Sequence, residues 1–264
     1  SSAASDVYKR QIITITFNSE KTLEETIESV LSQNYPNLEY LIIDGGSSDG
    51  TLEIVKRYKD KIDFVISEPD RGISDAFNKG IRYATGEIVG IINSDDLLLP
   101  DALHKVAENY DSNVGVYRGN TVIWNDKTGS KLVAIPSMSF SVYSFKRRKI
   151  CHQSTFILKS TYDNFGAFRT DFKYMMDADL LIRFYRNKVK FKYIDANLAV
   201  FRLGGVTDTS FIKKLPEVRN LYRGNGANII FTLWKMIESV SFGIGKKILF
   251  AFSGDKLKKL RYNK

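Results

Sequence analysis

The first hundred residues alternate between short apolar runs and longer amphipathic stretches. The apolar runs predict four strands, at 11–17, 38–44, 62–67 and 86–92. Between them, apolar residues recur every three to four positions, which predicts helices at 20–33, 50–59 and 73–84. Strands that alternate with helices of this length are typical of βαβ units. Near-continuous apolar strands such as "EYLIID" indicate a sheet covered on both faces. We therefore predict an α/β fold with a Rossmann-like, mostly parallel sheet flanked by helices.

The pattern is less regular after Pro100. It predicts a helix at 101–110, a strand-rich stretch from 115 to 133, a strand at 153–158, a helix at 177–186 and two short strands within 190–203. Residues 1–10 have no apolar run and are expected to be a leader outside the fold. The expected division is therefore a leader (1–10), one α/β domain (11–207) and a helical, partly amphipathic C-terminal extension (208–264).

Charge separates this extension from the domain. The chain has 39 basic and 30 acidic residues, of which 12 and 3 lie within 211–264, so that 27 of each remain elsewhere. The whole net charge of +9 thus lies in the last fifth, which argues against a nucleic-acid-binding core. Cys151 is the only cysteine, so a reducing compartment is the simpler expectation. With no apolar run of transmembrane length, we expect a cytoplasmic protein, with peripheral contact at the inner face of the plasma membrane as an open alternative.

Candidate chemistry follows the ends of the four predicted strands, where open parallel sheets bind their ligands. The residues at these ends are Thr16, Phe17, Asn18, Asp44, Gly45, Gly46, Glu68, Asp70, Arg71, Asn93, Ser94, Asp95 and Asp96. The segment "DGGSSDG" (44–50) lacks the spacing of a dinucleotide or ATPase phosphate loop, and Asp49 within it also suits a helix cap. The adjacent pair Asp95–Asp96 suits either a helix N-terminus or a hard cation such as Mg²⁺ or Mn²⁺.

Five segments in order resemble those of a family 2 glycosyltransferase of the GT-A fold. They are "IITITFN", "LEYLIIDGGSSDGT", "SEPDRGISDAFNKGI", "TGEIVGIINSDD" and "YMMDADLLIR", and the resemblance covers roughly residues 11–207. The long segment "SEPDRGISDAFNKGI" is similar to that of the bacterial polysaccharide branch of the family. The resemblance implies inverting transfer of a sugar from a nucleoside-diphosphate donor, with a UDP-sugar favoured over a GDP-sugar. It also implies Mn²⁺ or Mg²⁺ as cofactor and a saccharide or lipid-linked saccharide as acceptor.

The resemblance also implies a role for each site residue. Thr16, Phe17 and Asp44 would hold the nucleobase, with Asp44 accepting its imide N–H, and Glu68 and Arg71 would lie near the nucleotide. Asn18 and Asn93 would belong to the same nucleotide- and donor-binding set. Asp75, Asn78 and Asp95 would approach the ribose or donor sugar, and Asp96 would be the main metal ligand. Asp177 aligns with the general base of the family. His152 and Asp179 would support the acceptor side, although Asp179 also suits a helix cap. Gly45 departs from the family, which often has a second Asp there, and Met176 stands where an acidic residue is usual.

Several alternatives stay open at this stage. A non-catalytic nucleotide-sugar-binding or assembly subunit would keep most of these motifs, and sugar-nucleotide synthesis on a related fold is a second enzymatic reading. The C-terminal extension suits either packing on the domain or binding to anionic lipid, because Lys residues interrupt its apolar clusters. The basic cluster "KRRK" (146–149) suits an acceptor diphosphate. The loop "FRLGGVTD" (201–208) suits either closure over the donor or a plain turn.

Overall fold

The structure is a computed structural model that describes residues 9–143, 150–203 and 214–253, with side chains as far as residue 241. The N-terminal half alternates strands and helices as predicted. Its strands are β1 (Arg10–Thr16), β2 (Leu38–Asp44), β3 (Phe64–Ser67) and β4 (Ile88–Asn93), and its helices are α1 (Leu23–Leu31), α2 (Thr51–Arg57) and α3 (Ile73–Tyr83). The first strand begins at Arg10, whose side chain is fully buried, so the fold starts within the segment expected to be a leader.

The second half contributes strands of a different arrangement. It contains β5 (Leu97–Leu98), α4 (Ala102–Glu108), β6 (Val116–Asn125), β7 (Ser130–Ala134), β8 (Thr155–Leu158), α5 (Lys159–Phe165), α6 (Met176–Arg186) and β9 (Phe191–Arg202). The two short strands expected within 190–203 are one continuous strand. The helices α7 (Leu215–Gly224) and α8 (Ile229–Ser253) follow.

The described strands form one mixed sheet in the order β3-β2-β1-β4-β8-β6-β9-β5, with β7 on β6. The pairs among β1 to β4 are parallel, as predicted. From β4 onward most pairs are antiparallel, and only β6 with β9 returns to parallel pairing. The fold is therefore α/β as predicted, with its parallel half confined to the first hundred residues.

Both faces of the sheet are covered, which explains the continuous apolar strands. On β1, Ile13 and Ile15 belong to one buried cluster, whereas Ile12 belongs to the cluster on the opposite face, because successive side chains point to opposite sides of a strand. Helix α3 lies very close to the first face at Gly80, where a Cβ atom would be 2.4 Å from Cγ2 of Ile13. The absence of a side chain at residue 80 is what lets this helix approach the sheet.

Helix α7 is part of the domain core. Val218, Leu221 and Tyr222 are almost completely buried in the same cluster as Ile13. The carboxylate of Glu217 accepts hydrogen bonds from three consecutive backbone N–H groups, those of Lys173 (3.0 Å), Tyr174 (2.8 Å) and Met175 (3.0 Å). The domain therefore includes residues that the charge pattern had assigned to a separate extension. Among the described residues, no helix is long and apolar enough to cross a membrane.

Candidate active site

The site lies at the carboxyl edge of the parallel strands, where three strand ends meet. Thr16 at the end of β1 pairs with Asp44 at the end of β2, and Ile15 pairs with Asn93 at the end of β4. The backbone N–H of Ser94 donates to the carbonyl of Ile15 at 3.2 Å, which extends this register beyond the strand. The topology thus brings together the polar groups that the sequence placed at separate strand ends.

Asp44 closes one side of this edge and is fully buried. Its Oδ2 accepts hydrogen bonds from the backbone N–H groups of Gly46 (3.1 Å) and Ser47 (3.0 Å) and from the hydroxyl of Ser67 (2.6 Å). The hydroxyl of Ser47 also donates to Oδ1. The carboxylate expected to accept the nucleobase N–H is therefore engaged by its own loop. The neighbouring Thr16 is buried too, and its Oγ1 has no partner in the described part of the chain.

Phe17 presents an aromatic face at the same edge. Its side chain is 59% exposed, although it follows a fully buried strand. Asn18 next to it has a φ of 47° and accepts a hydrogen bond from the backbone N–H of Ser48 at 2.9 Å. Asn18 therefore ties the loop after β1 to the loop after β2, which fixes the position of Phe17. An exposed aromatic ring at a fixed position is suited to stacking against a planar base.

The loop between β3 and α3 is held by hydrogen bonds to its own helix. Asp75 accepts a hydrogen bond from the backbone N–H of Arg71 (3.0 Å) and pairs with its guanidinium (3.6 Å). Lys79, which sequence reasoning did not single out, pairs with Glu68 (2.9 Å) and donates to the carbonyl of Pro69 (2.8 Å). Three predicted site residues (Glu68, Arg71 and Asp75) therefore shape this loop.

Asn78 has a structural partner. Its Nδ2 donates to the carbonyl of Phe168 (2.7 Å), and its Oδ1 accepts from the backbone N–H of the same residue (2.9 Å). This pair of hydrogen bonds ties α3 to the segment before α6. The amide expected to approach the ribose is thereby committed to the scaffold.

Asp96 is fully buried among donors. Its Oδ2 accepts from Nδ2 of Asn93 (3.1 Å) and Nε2 of Gln153 (2.7 Å), and its Oδ1 accepts from the backbone N–H of Arg202 (3.0 Å). Burial, and after it the charge of Asp95, raise the pKa of Asp96 to about 7. Burial also raises the pKa of Asp95, whose side chain is only partly buried. The charges of His152 and Arg202 oppose this rise for Asp95 without cancelling it, so the two adjacent carboxylates remain costly and a bound cation would relieve that cost.

The donor set of this pair fits a hard divalent cation. Mn²⁺ and Mg²⁺ prefer oxygen ligands, and Mg²⁺ commonly takes one or two carboxylates together with substrate phosphates. Within the described ranges, no three His, Cys, Asp or Glu side chains form a complete metal cage. The carboxylate pair could therefore supply one or two of the oxygen ligands of such a cation.

His152 joins this carboxylate pair to Asp177. Its Nε2 lies 3.3 Å from Oδ1 of Asn93, and its Nδ1 lies 3.1 Å from Oδ2 of Asp177. Both ring nitrogens thus face acceptor oxygens, an arrangement that the doubly protonated ring satisfies. Burial lowers the pKa of His152, but the carboxylates of Asp177, Asp96 and Asp95 together raise it above its ordinary value.

Asp177 lies in the first turn of α6, where the helix dipole favours a negative charge. His152 contacts only one of the two carboxylate oxygens of Asp177. The other oxygen, Oδ1 of Asp177, is buried without a hydrogen-bond partner among the described residues. Asp177 and His152 also line a cavity of about 20 Å³. The carboxylate of Asp177 is thus fixed in position through one oxygen, while its other oxygen makes no hydrogen bond to the described residues.

Asp179 has a structural environment. It is fully buried, pairs with Nε of Arg183 (2.9 Å) and accepts from Nδ2 of Asn225 (3.1 Å), with no helix-cap bond. Gln153 through its side-chain amide and Arg202 through its backbone N–H both donate to Asp96. The cluster at 146–149 and residues 204–208 of the loop after β9 lie outside the described residues.

Comparisons with known proteins agree with this geometry. The chain matches Glycosyl transferase family 2 over residues 11–174, more than half of its length. It is 31% identical to the putative glycosyltransferase EpsE of Bacillus subtilis over 187 residues, 67% of this chain and 66% of that protein. The chain therefore spans slightly less than two thirds of that relative.

Two solved structures share the fold. One is TarS 1–349 of S. aureus in complex with UDP, with a TM-score of 0.66 and 20% identity, over 96% of this chain and 75% of that chain. The other is the mannosyltransferase PcManGT of Pyrobaculum calidifontis in complex with GDP-Man and Mn²⁺, with a TM-score of 0.62 and 18% identity, over 95% and 77%. With the family match over 11–174 and a matching mixed sheet, the chain belongs to glycosyltransferase family 2, with the GT-A fold.

Proposed function

We propose that the protein is an inverting glycosyltransferase. It would move a sugar from a nucleoside-diphosphate donor, with a UDP-sugar favoured, to a saccharide or lipid-linked saccharide in the synthesis of a cell-surface polysaccharide. One observation carries this proposal: the hydrogen-bonded line from Asp96 through Asn93 and His152 to Asp177. It places a carboxylate pair suited to a metal–diphosphate at one end and a separate carboxylate at the other, as inversion requires.

The donor would lie along the carboxyl edge of β1, β2 and β4. Phe17 offers its ring to the base, and the Asp95–Asp96 pair lies where the diphosphate would reach. The UDP complex of TarS and the GDP-Man complex of PcManGT support a nucleotide-sugar donor for this fold. Uridine is the favoured base, in line with the sequence expectation.

Mn²⁺ or Mg²⁺ would be held by the carboxylate pair and would offset negative charge on the leaving diphosphate. The sequence expectation made Asp96 the main ligand. Because Asp96 is fully buried and accepts three hydrogen bonds, we assign direct contact to the partly exposed Asp95. Asp96 would act behind it by keeping Asn93, Gln153 and the backbone of Arg202 in place. The Mn²⁺ in PcManGT supports a metal at this fold.

Asp177 would take the proton of the acceptor hydroxyl as that oxygen bonds to the anomeric carbon. The bond from this carbon to the diphosphate oxygen breaks on the opposite face, so the configuration inverts. His152 keeps Oδ2 of Asp177 in place at 3.1 Å and leaves Oδ1 without a structural partner. The Asp177 side chain is 24% exposed, so an acceptor hydroxyl can reach its carboxylate.

Calorimetric titration with UDP and GDP, with and without Mn²⁺, tests the donor site. The wild type should bind one of them in a metal-dependent manner, and Asp95→Asn should lose the metal dependence. Asp177→Asn should bind the same nucleotide as tightly as the wild type but release no UDP or GDP from the corresponding donor sugar. Near-normal turnover in Asp177→Asn would refute its role as base. Metal-dependent binding with no turnover in the wild type would favour the non-catalytic alternative.

We also propose that α8 attaches the protein to an anionic lipid surface. One face of this helix exposes Ile230 (77%), Leu233 (51%) and Ile237 (64%), and Trp234 lies beside them with Nζ of Lys235 4.3 Å from its ring centre. Residues 211–264 also carry the whole net charge of +9. An apolar face with basic residues is the combination that binds the interface of anionic membranes.

Co-sedimentation with phosphatidylglycerol and phosphatidylcholine vesicles tests this attachment. The full chain should bind the anionic vesicles, and Leu233→Ser/Ile237→Ser should not. The matched control is Val133→Ser/Ile135→Ser, which removes two equally exposed apolar side chains on and next to β7 and should bind like the wild type. Equal binding by both double variants would refute the assignment to α8.

A further inference from the structure

Asp70 occupies the space that a side chain at residue 45 would fill. A Cβ atom at Gly45 would lie 2.5 Å from Oδ2 of Asp70 and 3.4 Å from Cδ2 of Phe17. Gly45 is not among the residues with a positive φ, so its backbone does not itself require glycine. A side chain at residue 45 would have to displace the carboxylate of Asp70, which lies above it from the β3–α3 loop.

The carboxylate of Asp70 is held in this position. Its Oδ1 accepts a hydrogen bond from the backbone N–H of Gly72 at 2.7 Å. Lys79 fixes the preceding residue by donating to the carbonyl of Pro69, and Asp75 fixes the following one through the N–H of Arg71. The loop therefore presents Oδ2 with little freedom, which lowers the entropic cost of using it in binding.

Asp70 differs from Asp44 in the hydrogen bonds that its carboxylate oxygens accept. Asp44 is fully buried, and both of its oxygens accept hydrogen bonds from Ser47 of its own loop. Oδ2 of Asp70 accepts none from any described residue, and the side chain is only partly buried. Beside the exposed ring of Phe17, Oδ2 of Asp70 is therefore the carboxylate oxygen that is available to accept a hydrogen bond from a ligand.

We propose that Asp70 is a specificity-determining residue for the nucleobase, an inference that rests on the nucleotide-sugar function proposed above. A base stacked on Phe17 would present its edge to Oδ2 of Asp70. Uracil and guanine carry a ring N–H on this edge, which a carboxylate accepts. Cytosine carries an unprotonated ring nitrogen there, whose lone pair would face the carboxylate. Asp70 would thus select nucleoside diphosphates with a ring N–H, and UDP foremost.

Calorimetric titration with UDP and CDP tests this assignment in four variants of the full chain. The wild type should prefer UDP. Asp70→Asn should weaken UDP binding about 10- to 100-fold, the effect of one hydrogen bond to a charged acceptor, and leave CDP binding nearly unchanged. Asp60→Asn, which removes an exposed carboxylate in the turn before β3, is the matched control and should bind like the wild type.

A swap of the carboxylate between the two loops gives the sharper test. Gly45→Asp alone should weaken UDP binding, because the new side chain collides with Asp70. Gly45→Asp/Asp70→Ala should recover most of the wild-type affinity, because the carboxylate then comes from residue 45. The assignment would be overturned if Gly45→Asp/Asp70→Ala bound UDP no more tightly than Gly45→Asp alone. It would also be overturned if UDP affinity were unchanged in Asp70→Asn. Either result would leave the proposed function intact. A wild type that binds neither UDP, GDP nor CDP would overturn both.

Discussion

Glu217 offers the most direct test of how the C-terminal helices support the site. Its carboxylate accepts three consecutive backbone N–H groups, from Lys173, Tyr174 and Met175, immediately before α6 and Asp177. Glu217→Ala would remove the acceptor that these three N–H groups share. The N–H of Met175 is buried and the other two are partly buried. A buried unpaired donor costs about 1–3 kcal/mol, and partly solvated ones cost less.

We therefore expect Glu217→Ala to lower the free energy of unfolding by about 3–5 kcal/mol. Glu217→Gln should cost less, because one oxygen still accepts, although its NH₂ group then faces an N–H donor. Urea unfolding followed by circular dichroism measures both changes. In the folded fraction, kcat should fall more than nucleotide affinity, because the three N–H groups position the turn that carries Asp177.

The matched control is Glu238→Ala on α8. Glu238 pairs with Lys235 at 2.8 Å, but its side chain is half exposed and holds no backbone N–H group. Such a surface pair contributes about 0–1 kcal/mol. Equal urea midpoints for Glu217→Ala and Glu238→Ala would refute the reasoning, since they would show that the three hydrogen bonds contribute no more than a surface pair.

Three further predictions follow from burial. In EDTA, the wild type should lose stability as pH rises from 5 to 8, because the folded state keeps a proton on Asp96 up to a pKa of about 7 whereas the unfolded chain loses it near 4. Asp96→Asn should remove most of this slope, which is worth about 3 kcal/mol between pH 5 and 8, as urea unfolding at both pH values will show; an unchanged slope would contradict it. A chain ending at residue 228 should fold, whereas one ending at 213 should not give a cooperative thermal transition, since it lacks the buried face of α7. Gly80→Ala should lower the free energy of unfolding by about 1–3 kcal/mol through its collision with Ile13, and an unchanged melting temperature would show that α3 can move away.

The parallel half of the fold was predictable because its signals are local. The boundaries of β1 to β4 lie within two residues of those expected, and α1 to α3 lie within the expected helices. Each strand there is a short apolar run, and each helix has a clear amphipathic period. The mixed second half of the sheet was not predictable, because the pairing of β4 with β8 and of β6 with β9 joins segments far apart in sequence. Helix α5 was missed because "KSTYDNF" has no such period.

For the site, the strand-end rule identified where the polar groups meet but not what each one does. It placed Asp95, Asp96, Asn93 and the residues after β1 and β2 at one edge, as the structure has them. It could not show that Gln153 and Arg202 enclose Asp96, because both arrive from later segments. Nor could it show that Asn78 is committed to Phe168, which lies 90 residues away. The roles of the individual residues remain predictions.

The last strand of the sheet also sets the order in which the site can be completed. The N–H of Arg202 that completes the shell of Asp96 comes 106 residues later in the chain. At about 5–20 residues per second, the ribosome makes it roughly 5–20 s after Asp96. Throughout that interval the nascent chain has its acidic pair but not the strand that encloses it. A nucleotide bound at the proposed site would therefore stabilise only a chain in which β9 has already joined the sheet.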